Sequence, residues 1–291
     1  MTKPNLFIVG AMKAGTRTLH AVLAEHPQIF MCEPQEPTRF VDGARLARLW
    51  PRMHELGYWR DEQRYLALFE RAGAARVIGE SSTNYAKLPW SGEVATRIRD
   101  FAPDARIVYL MREPAARAVS HYWHAVMYDG EMREPASALR GPGIYRDVSH
   151  YAMQLEPFLA AFGRDRVYAL SIERFDAEPA HEYRALLQWL GVDADFVSAR
   201  LQQRQHVRPE VLWQPRTAWL ARWMNRYEVL RDNRAPNLPR RRRFYRHLLM
   251  RPRRPTAVDL SRVVAELSTA MAPEVQALEA LLERRFPEWQ A

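Results

Sequence analysis

Phe7-Ile8-Val9-Gly10-Ala11-Met12-Lys13-Ala14-Gly15-Thr16-Arg17-Thr18-Leu19 is the stretch that decides the fold. A short apolar, β-rich run (Leu6–Val9) stops at a glycine, and a tight turn follows. A second glycine then opens a segment, Thr16 to Glu25, whose Leu19, Val22 and Leu23 share one helical face. Backbone N–H groups at a helix N-terminus point outward, and the helix dipole adds positive potential there, so a strand–loop–helix of this kind cradles a phosphate. Gly10 and Gly15 keep the glycine spacing of the Walker A loop, which places Lys and then a magnesium-binding Ser or Thr directly after its second glycine. Those two places hold Thr16 and Arg17, while Lys13 lies inside the loop. Lys13 and the Thr16-Arg17-Thr18 run therefore point to a phosphate-like group bound without a metal.

The same alternation continues along the chain. Gln28–Met31, Ala75–Gly79, Ala105–Met111 and Arg166–Ile172 read as further strands. Helices are expected after Pro114, through Tyr122 and Ala125, from Tyr183 to Leu190 with Gly191 as stop, and from Ser261 to Phe286. Short apolar strands separated by helices predict an α/β chain. The expected architecture is P-loop-like and three-layered, with a central, mainly parallel sheet and helices on both faces, in a single domain over residues 1–291. Ligands of such sheets sit beyond the carboxyl ends of the strands, here just after Val9, Gly79 and Met111. Residues 202–255, rich in Arg, Trp and Pro, read as a helical or irregular excursion, a lid or substrate-facing wall. Trp213, Trp219 and Trp223 suit core packing or a lid face as well as sugar stacking.

A second anion site follows the fourth strand. In Leu110-Met111-Arg112-Glu113-Pro114-Ala115-Ala116-Arg117-Ala118-Val119-Ser120-His121-Tyr122, Arg112 ends the strand and Ser120 lies two turns into the helix. A guanidinium fork plus a hydroxyl suits a phosphate monoester. The alternative is a surface Arg112–Glu113 pair and a solvent-facing Ser120. Two such sites in one parallel sheet imply a ligand with two separated phosphates.

With these residues in view the chain resembles sulfotransferases that use 3′-phosphoadenosine 5′-phosphosulfate (PAPS), most closely their heparan-sulfate-type and related bacterial branch. Gly10–Leu19 resembles the 5′-phosphosulfate loop and Leu110–Tyr122 the 3′-phosphate motif. Gln35–Phe40, Gly79–Tyr85 and, more weakly, the C-terminal helix ending at Trp289 match as well. The resemblance implies in-line transfer of a sulfuryl group to a hydroxyl or amine, with no metal. Amides from Ala14 through Gly15 to Thr18, with the side chains of Thr16, Arg17 and Thr18, would hold the 5′-phosphate. Lys13 would neutralise the departing bridging oxygen, Arg112 and Ser120 would hold the 3′-phosphate, and Arg208, beside Arg204 and His206, would belong to a basic loop closing over the cofactor. Glu36, in a Glu-x-x-x-Phe context with Phe40, matches the general base, with Glu33, His121 and His124 as rivals. Family members often carry Lys after the third-strand Glu, where this chain has Glu80-Ser81; Arg39 is the candidate replacement cation. Glu80 itself would partner Lys13, the substrate or a surface Arg.

Composition fits this reading. The 291 residues carry a net charge of +9, which favours anionic partners. Lys3, Lys13 and Lys87 are the only lysines among 43 basic residues, so a retained lysine marks a place that needs a compact ammonium. The single Cys32 excludes an intrachain disulfide and any all-cysteine metal site. No apolar run approaches the ~20 residues of a membrane span, and Met1–Asn5 does not resemble a signal peptide. A cytoplasmic bacterial enzyme acting on a carbohydrate, lipid or small metabolite is expected, with no nucleic-acid partner. The competing readings are a P-loop kinase, an inactive nucleotide-binding scaffold, and an anion- or nucleic-acid-binding protein using Arg240–Arg243 and Arg251–Arg254.

Overall fold

Five of the apolar runs become strands β1 (Leu6–Gly10), β2 (Ile29–Met31), β3 (Val77–Ser81), β4 (Arg106–Met111) and β5 (Val167–Ser171). The computed structural model describes residues 2–201, 211–217, 219–220 and 248–289. The five strands form one sheet in the order β2-β3-β1-β4-β5, and every neighbouring pair is parallel. Leu6, Phe7, Ile8 and Val9 of the central strand are fully buried, as expected of a sheet covered by helices on both faces. This is the P-loop-like three-layer architecture expected above.

The strand order places the functional segments. From β1 the chain passes through helix α1 (Thr16–Leu23) to β2 on one side, whereas from β4 it passes to β5 on the other. Connections leaving adjacent strands in opposite directions open a crevice at their carboxyl ends. The Lys13 turn and Arg112 emerge at that crevice, because β1 and β4 are direct neighbours with Ile8 opposite Val108 and Gly10 opposite Tyr109.

Several boundaries differ from the expected ones. Strand β3 runs two residues past Gly79, drawing Glu80 and Ser81 into the buried sheet. The last long helix spans Ser261–Leu282 and ends with Glu283 in the left-handed region, short of Phe286. The helix closed by Gly191 begins at Pro179, four residues before the first apolar position that marked it. The 202–255 excursion is corrected at its described ends: Leu212–Pro215 (β6) and Met250–Arg253 (β7) pair as an antiparallel ladder. Arg251 and Arg253 both donate to Gln214 Oε1, and Arg253 also pairs with Glu134, so these cations serve the ladder. Trp219 is exposed and Trp213 packs beside Leu220 and Met250. Arg204, His206, Arg208, Trp223 and Arg240–Arg243 lie outside the described residues.

Gly15 is required twice over. Its φ is +95°, and a Cβ there would lie 2.8 Å from Ile172 Cδ1. Gly15→Ala is expected to cost about 1–2 kcal/mol for the left-handed backbone alone, with the clash adding to it. Thermal unfolding checks this: an unchanged Tm would mean that the turn relaxes without strain.

Candidate active site

The loop between β1 and α1 is tied to its neighbours at both ends. Ala11 N–H donates to Leu110 O at 2.5 Å, stitching the loop onto β4. Gly10 packs so tightly that a Cβ would meet Tyr109 Cε2 at 2.7 Å and Ala86 Cβ at 3.1 Å. Lys13 sits in the left-handed region at φ 75° and Gly15 follows it there, so the chain curls back on itself before the helix starts. Helix α1 has no capping side chain and no acid in its first turn. Its first N–H groups therefore face the loop's concave side with no side chain capping them, which suits an anion.

Arg117 carries the loop from below. It is fully buried on the Pro114–Tyr128 helix. Its Nε donates to Ser149 Oγ (2.6 Å), Nη1 to Met12 O (3.2 Å) and to His121 Nδ1 (3.2 Å), and Nη2 to Tyr145 O (2.5 Å). A rigid fork of donors thus fixes the carbonyl immediately before Lys13. Arg is rarely buried, and nothing in the Arg117 context distinguishes it from exposed arginines nearby, so sequence reasoning passed over it.

At the end of β4, the Tyr151 hydroxyl donates to Arg112 O (2.6 Å) and accepts from Arg112 N–H (3.3 Å). Glu113 does not pair with Arg112; its carboxylate caps the following helix by accepting from Ala115 and Ala116 N–H. The Arg112 guanidinium makes no ion pair among the described residues. Ser120 is buried two turns along the same helix.

The Glu36 carboxylate is held on the turn after β3. Its Oε2 accepts from Thr83 N–H (2.8 Å), its Oε1 from Thr83 Oγ1 (3.0 Å), and its own N–H donates to Ser81 O (2.9 Å). Burial pushes its pKa up, while the charge of Lys87 and the Thr83 hydrogen bonds oppose the rise. The rivals stand differently. Glu33 is exposed beside His20. His121 is buried, already accepts from Arg117, and is held well below the usual histidine range by burial and then by the charges of Arg117 and Lys87, with Lys13 adding to them. The ammonium groups of Lys13 and Lys87 thus bear on one buried ring.

Comparison with known proteins agrees with this geometry. A family model described as "Sulfotransferase family" matches residues 4–198. The chain belongs to the sulfotransferase family. It is 24% identical over 198 residues to mouse heparan sulfate glucosamine 3-O-sulfotransferase 3B1, covering 65% of this chain and 46% of that protein. It is 26% identical over 216 residues to mouse bifunctional heparan sulfate N-deacetylase/N-sulfotransferase 1, covering 65% and 22%. The chain spans about half the length, or less, of these curated relatives. A crystal structure of a sulfotransferase from Alicyclobacillus acidocaldarius superposes over 100% of both chains with TM-score 0.68 and 27% identity. No helix among the described residues is long and apolar enough to cross a membrane.

In this chain the expected substitute for the missing strand-end lysine is elsewhere engaged. Arg39 donates to Tyr58 O (2.8 Å) and pairs with Glu62 (2.7 Å). The Ser81 hydroxyl instead meets His20 Nδ1 at 2.8 Å, and burial, then the charge of Arg17, pushes His20 down to about 4, so the ring is neutral. Glu80, fully buried, accepts from Tyr65 (2.7 Å), Tyr85 (2.8 Å) and Ser82 (2.8 Å). Burial raises its pKa to about 7. The buried cation at this site is Lys87, 3% exposed, with Nζ donating to Asn84 Oδ1 at 2.6 Å. Burial lowers it to about 8, against the opposing pull of Glu36 and Asp129. Its rarity as a lysine was the available signal.

Arg117→Leu strips the Met12 and Tyr145 carbonyls of their donor, at about 1–3 kcal/mol for each buried group left unsatisfied. Amide exchange at residues 11–15 should quicken and Tm should fall. If exchange there keeps its native rate, Arg117 does not hold the loop.

Proposed function

We propose that the protein transfers a sulfuryl group from PAPS to a hydroxyl or amine of a carbohydrate, lipid or small-metabolite acceptor. The observation that carries the reading is the direct pairing of β1 with β4, with Ala11 N–H bonded to Leu110 O, so that the Lys13 turn and Arg112 leave adjacent strand ends. Strands in a sheet lie about 4.8 Å apart, a separation one bisphosphorylated nucleoside bridges. An uncapped α1 N-terminus, a loop curled through two left-handed residues and an Arg112 guanidinium with no ion pair among the described residues fit the two ends of such a ligand.

The donor supplies an activated sulfuryl group whose bond to the bridging phosphate oxygen breaks as a bond to the acceptor oxygen or nitrogen forms. Amides of Ala14 to Thr18 and the Thr16, Arg17 and Thr18 side chains would hold the 5′-phosphate; Arg112 and Ser120 would hold the 3′-phosphate. Arg208 keeps its expected place over the nucleotide on the resemblance alone. Lys13 neutralises charge growing on the bridging oxygen, an interaction strongest in the transition state. Glu36 takes the acceptor's proton, and the buried ammonium of Lys87 keeps Glu36 ionised while it waits. No metal enters this scheme. A cytoplasmic setting belongs to the same reading, supported by a single, buried, free cysteine, Cys32.

Adenosine 3′,5′-bisphosphate should raise Tm by an amount that grows with its concentration; no shift at saturation would remove the nucleotide site. Lys13→Ala should depress kcat by about 100- to 1,000-fold, the scale of losing one preorganised transition-state contact, with little change in bisphosphate affinity. An intact kcat would reject the leaving-group role.

The pH profile supplies a separate check. Activity needs Glu36 deprotonated and is highest while Lys87 is protonated. The rate should rise with pH through a value above the ordinary carboxylate range and fall as Lys87 loses its proton near about 8. Lys87→Met removes a charge that favours ionised Glu36, so the rising limb should move to higher pH and the Lys87 limb should vanish. Glu36→Gln should abolish transfer with bisphosphate binding intact. A profile unmoved by Lys87→Met would separate the two groups.

A further inference from the structure

The peptide unit joining Arg112 to Glu113 is gripped at both of its polar atoms. Arg112 O accepts from the Tyr151 hydroxyl (2.6 Å), and Glu113 N–H donates to Glu173 Oε1 (2.9 Å). A peptide is planar, so fixing its carbonyl and its amide fixes the plane. That plane sets the direction in which the chain, and with it the Arg112 side chain, leaves the end of β4. The Glu113 carboxylate meanwhile caps the Pro114–Tyr128 helix that carries Ser120, so the same grip sets the start of that helix.

Both gripping groups meet at Trp289. Its Nε1 donates to Glu173 Oε2 (3.0 Å), the second oxygen of the same carboxylate, and its ring lies 5.9 Å from that of Tyr151, tilted by 42°. The Pro287–Trp289 turn is fastened there on two further sides. The Ser171 hydroxyl at the end of β5 donates to Glu288, and the Trp289 ring stacks on Phe286 (4.3 Å, 9°). Ser171 also accepts from Arg174 N–H (3.3 Å), capping the Ile172–Ala177 helix whose first turn carries Glu173. Anchoring this turn in the core does not by itself call for the indole N–H. Phe286 is fully buried and supplies that anchor, whereas Trp289 is half-buried, and an indole near the surface needs no protein partner for its N–H. The bond to Glu173 therefore points to the peptide that Glu173 grips.

We propose that Trp289 is a positioning residue for the 3′-phosphate: through Tyr151 and Glu173 it holds the Arg112–Glu113 peptide, and through that peptide it aims the Arg112 guanidinium. This rests on the nucleotide reading above and adds to it a residue that acts through Arg112 rather than on the ligand. A guanidinium fork binds two phosphate oxygens only when it is aimed at them, and an error of about 1 Å in placing such a group is costly.

The test compares two nucleotides that differ in one group, adenosine 3′,5′-bisphosphate and adenosine 5′-monophosphate, each titrated by calorimetry into the full chain. Wild type should bind the bisphosphate more tightly. Trp289→Phe keeps a ring on Phe286 and removes the N–H. It should weaken the bisphosphate about 10-fold, the scale of one hydrogen bond to a charged group, and leave monophosphate affinity unchanged, which also shows that the rest of the site is intact. An amide offers one acceptor oxygen where two donors arrive, so Glu173→Gln breaks one of the two bonds. It should give the same selective loss, and it replaces Trp289→Phe if that variant lowers Tm. In an Arg112→Ala background Trp289→Phe should cost nothing further, because the group it aims is gone. Equal losses on both nucleotides, no loss on the bisphosphate, or a further loss in the Arg112→Ala background would reduce Trp289 to a packing residue and leave the nucleotide reading standing. Wild type binding both nucleotides alike, or neither, would defeat the 3′-phosphate site and the proposal with it.

Discussion

The hydrogen-bonded seam between β1 and β4 is the constraint on which the rest depends. A parallel pair brings both carboxyl ends to one edge of the sheet, and the chain leaves those ends in opposite directions. Two segments about a hundred residues apart, the Lys13 turn and the Arg112 strand end, therefore meet without any contact of their own having to enforce it. Had β3 stood beside β4, with β1 displaced by one place, the same side chains would stand about two strand spacings apart. Topology supplies the coarse distance, and Ala11 N–H on Leu110 O, with Arg117 on Met12 O, sets the fine one.

The site also gathers charge that would be costly to bury alone. Isolated buried ions are strongly disfavoured, and hydrogen bonds or opposite charges offset that cost. Here each charge has a specific answer: Thr83 for Glu36, Asn84 for Lys87, two tyrosines and a serine for Glu80, and Ser149 with two carbonyls for Arg117. The partners of Glu36, Lys87 and Glu80 come mostly from Ser82–Tyr85, the turn directly after β3. A short turn that answers three such charges has little freedom to drift.

The fold was legible because its signals are local. Five short apolar runs, two bracketing glycines and Pro114 at a helix start can each be read within a few residues, and the sheet followed from their alternation. The strand–loop–helix around Gly10 and Gly15 was legible for the same reason. Arg117 was not, since an arginine whose partners are Met12, Tyr145 and Ser149 announces itself only when distant segments are brought together. Glu80 was harder to read: at a strand end it suited Lys13, the substrate or a surface Arg as partner, yet β3 runs two residues further, and Tyr65 and Tyr85 close over it. Lys87 lay between these cases, marked by lysine scarcity and given a role only by its neighbours.

Ser81 shows how one substitution can be absorbed without emptying the site of positive charge. A lysine there would point its ammonium from the strand end, beside His20. With serine in place, a short hydroxyl satisfies His20 Nδ1, and the ring, neutral because burial and Arg17 disfavour its cation, contributes packing rather than charge. A buried ammonium lies six residues on, at Lys87, on the far side of the Thr83–Tyr85 turn, where it donates to Asn84 and stands against the Trp50 ring. A long flexible stem lets lysine deliver charge from a displaced backbone position, and a planar guanidinium would not fit the same slot without losing its fork of partners. Lys87 Nζ lies 5.2 Å from the centre of the Trp50 ring and its charge bears on Glu36, so the packing that holds this ammonium in place also acts on the ionisation of that carboxylate.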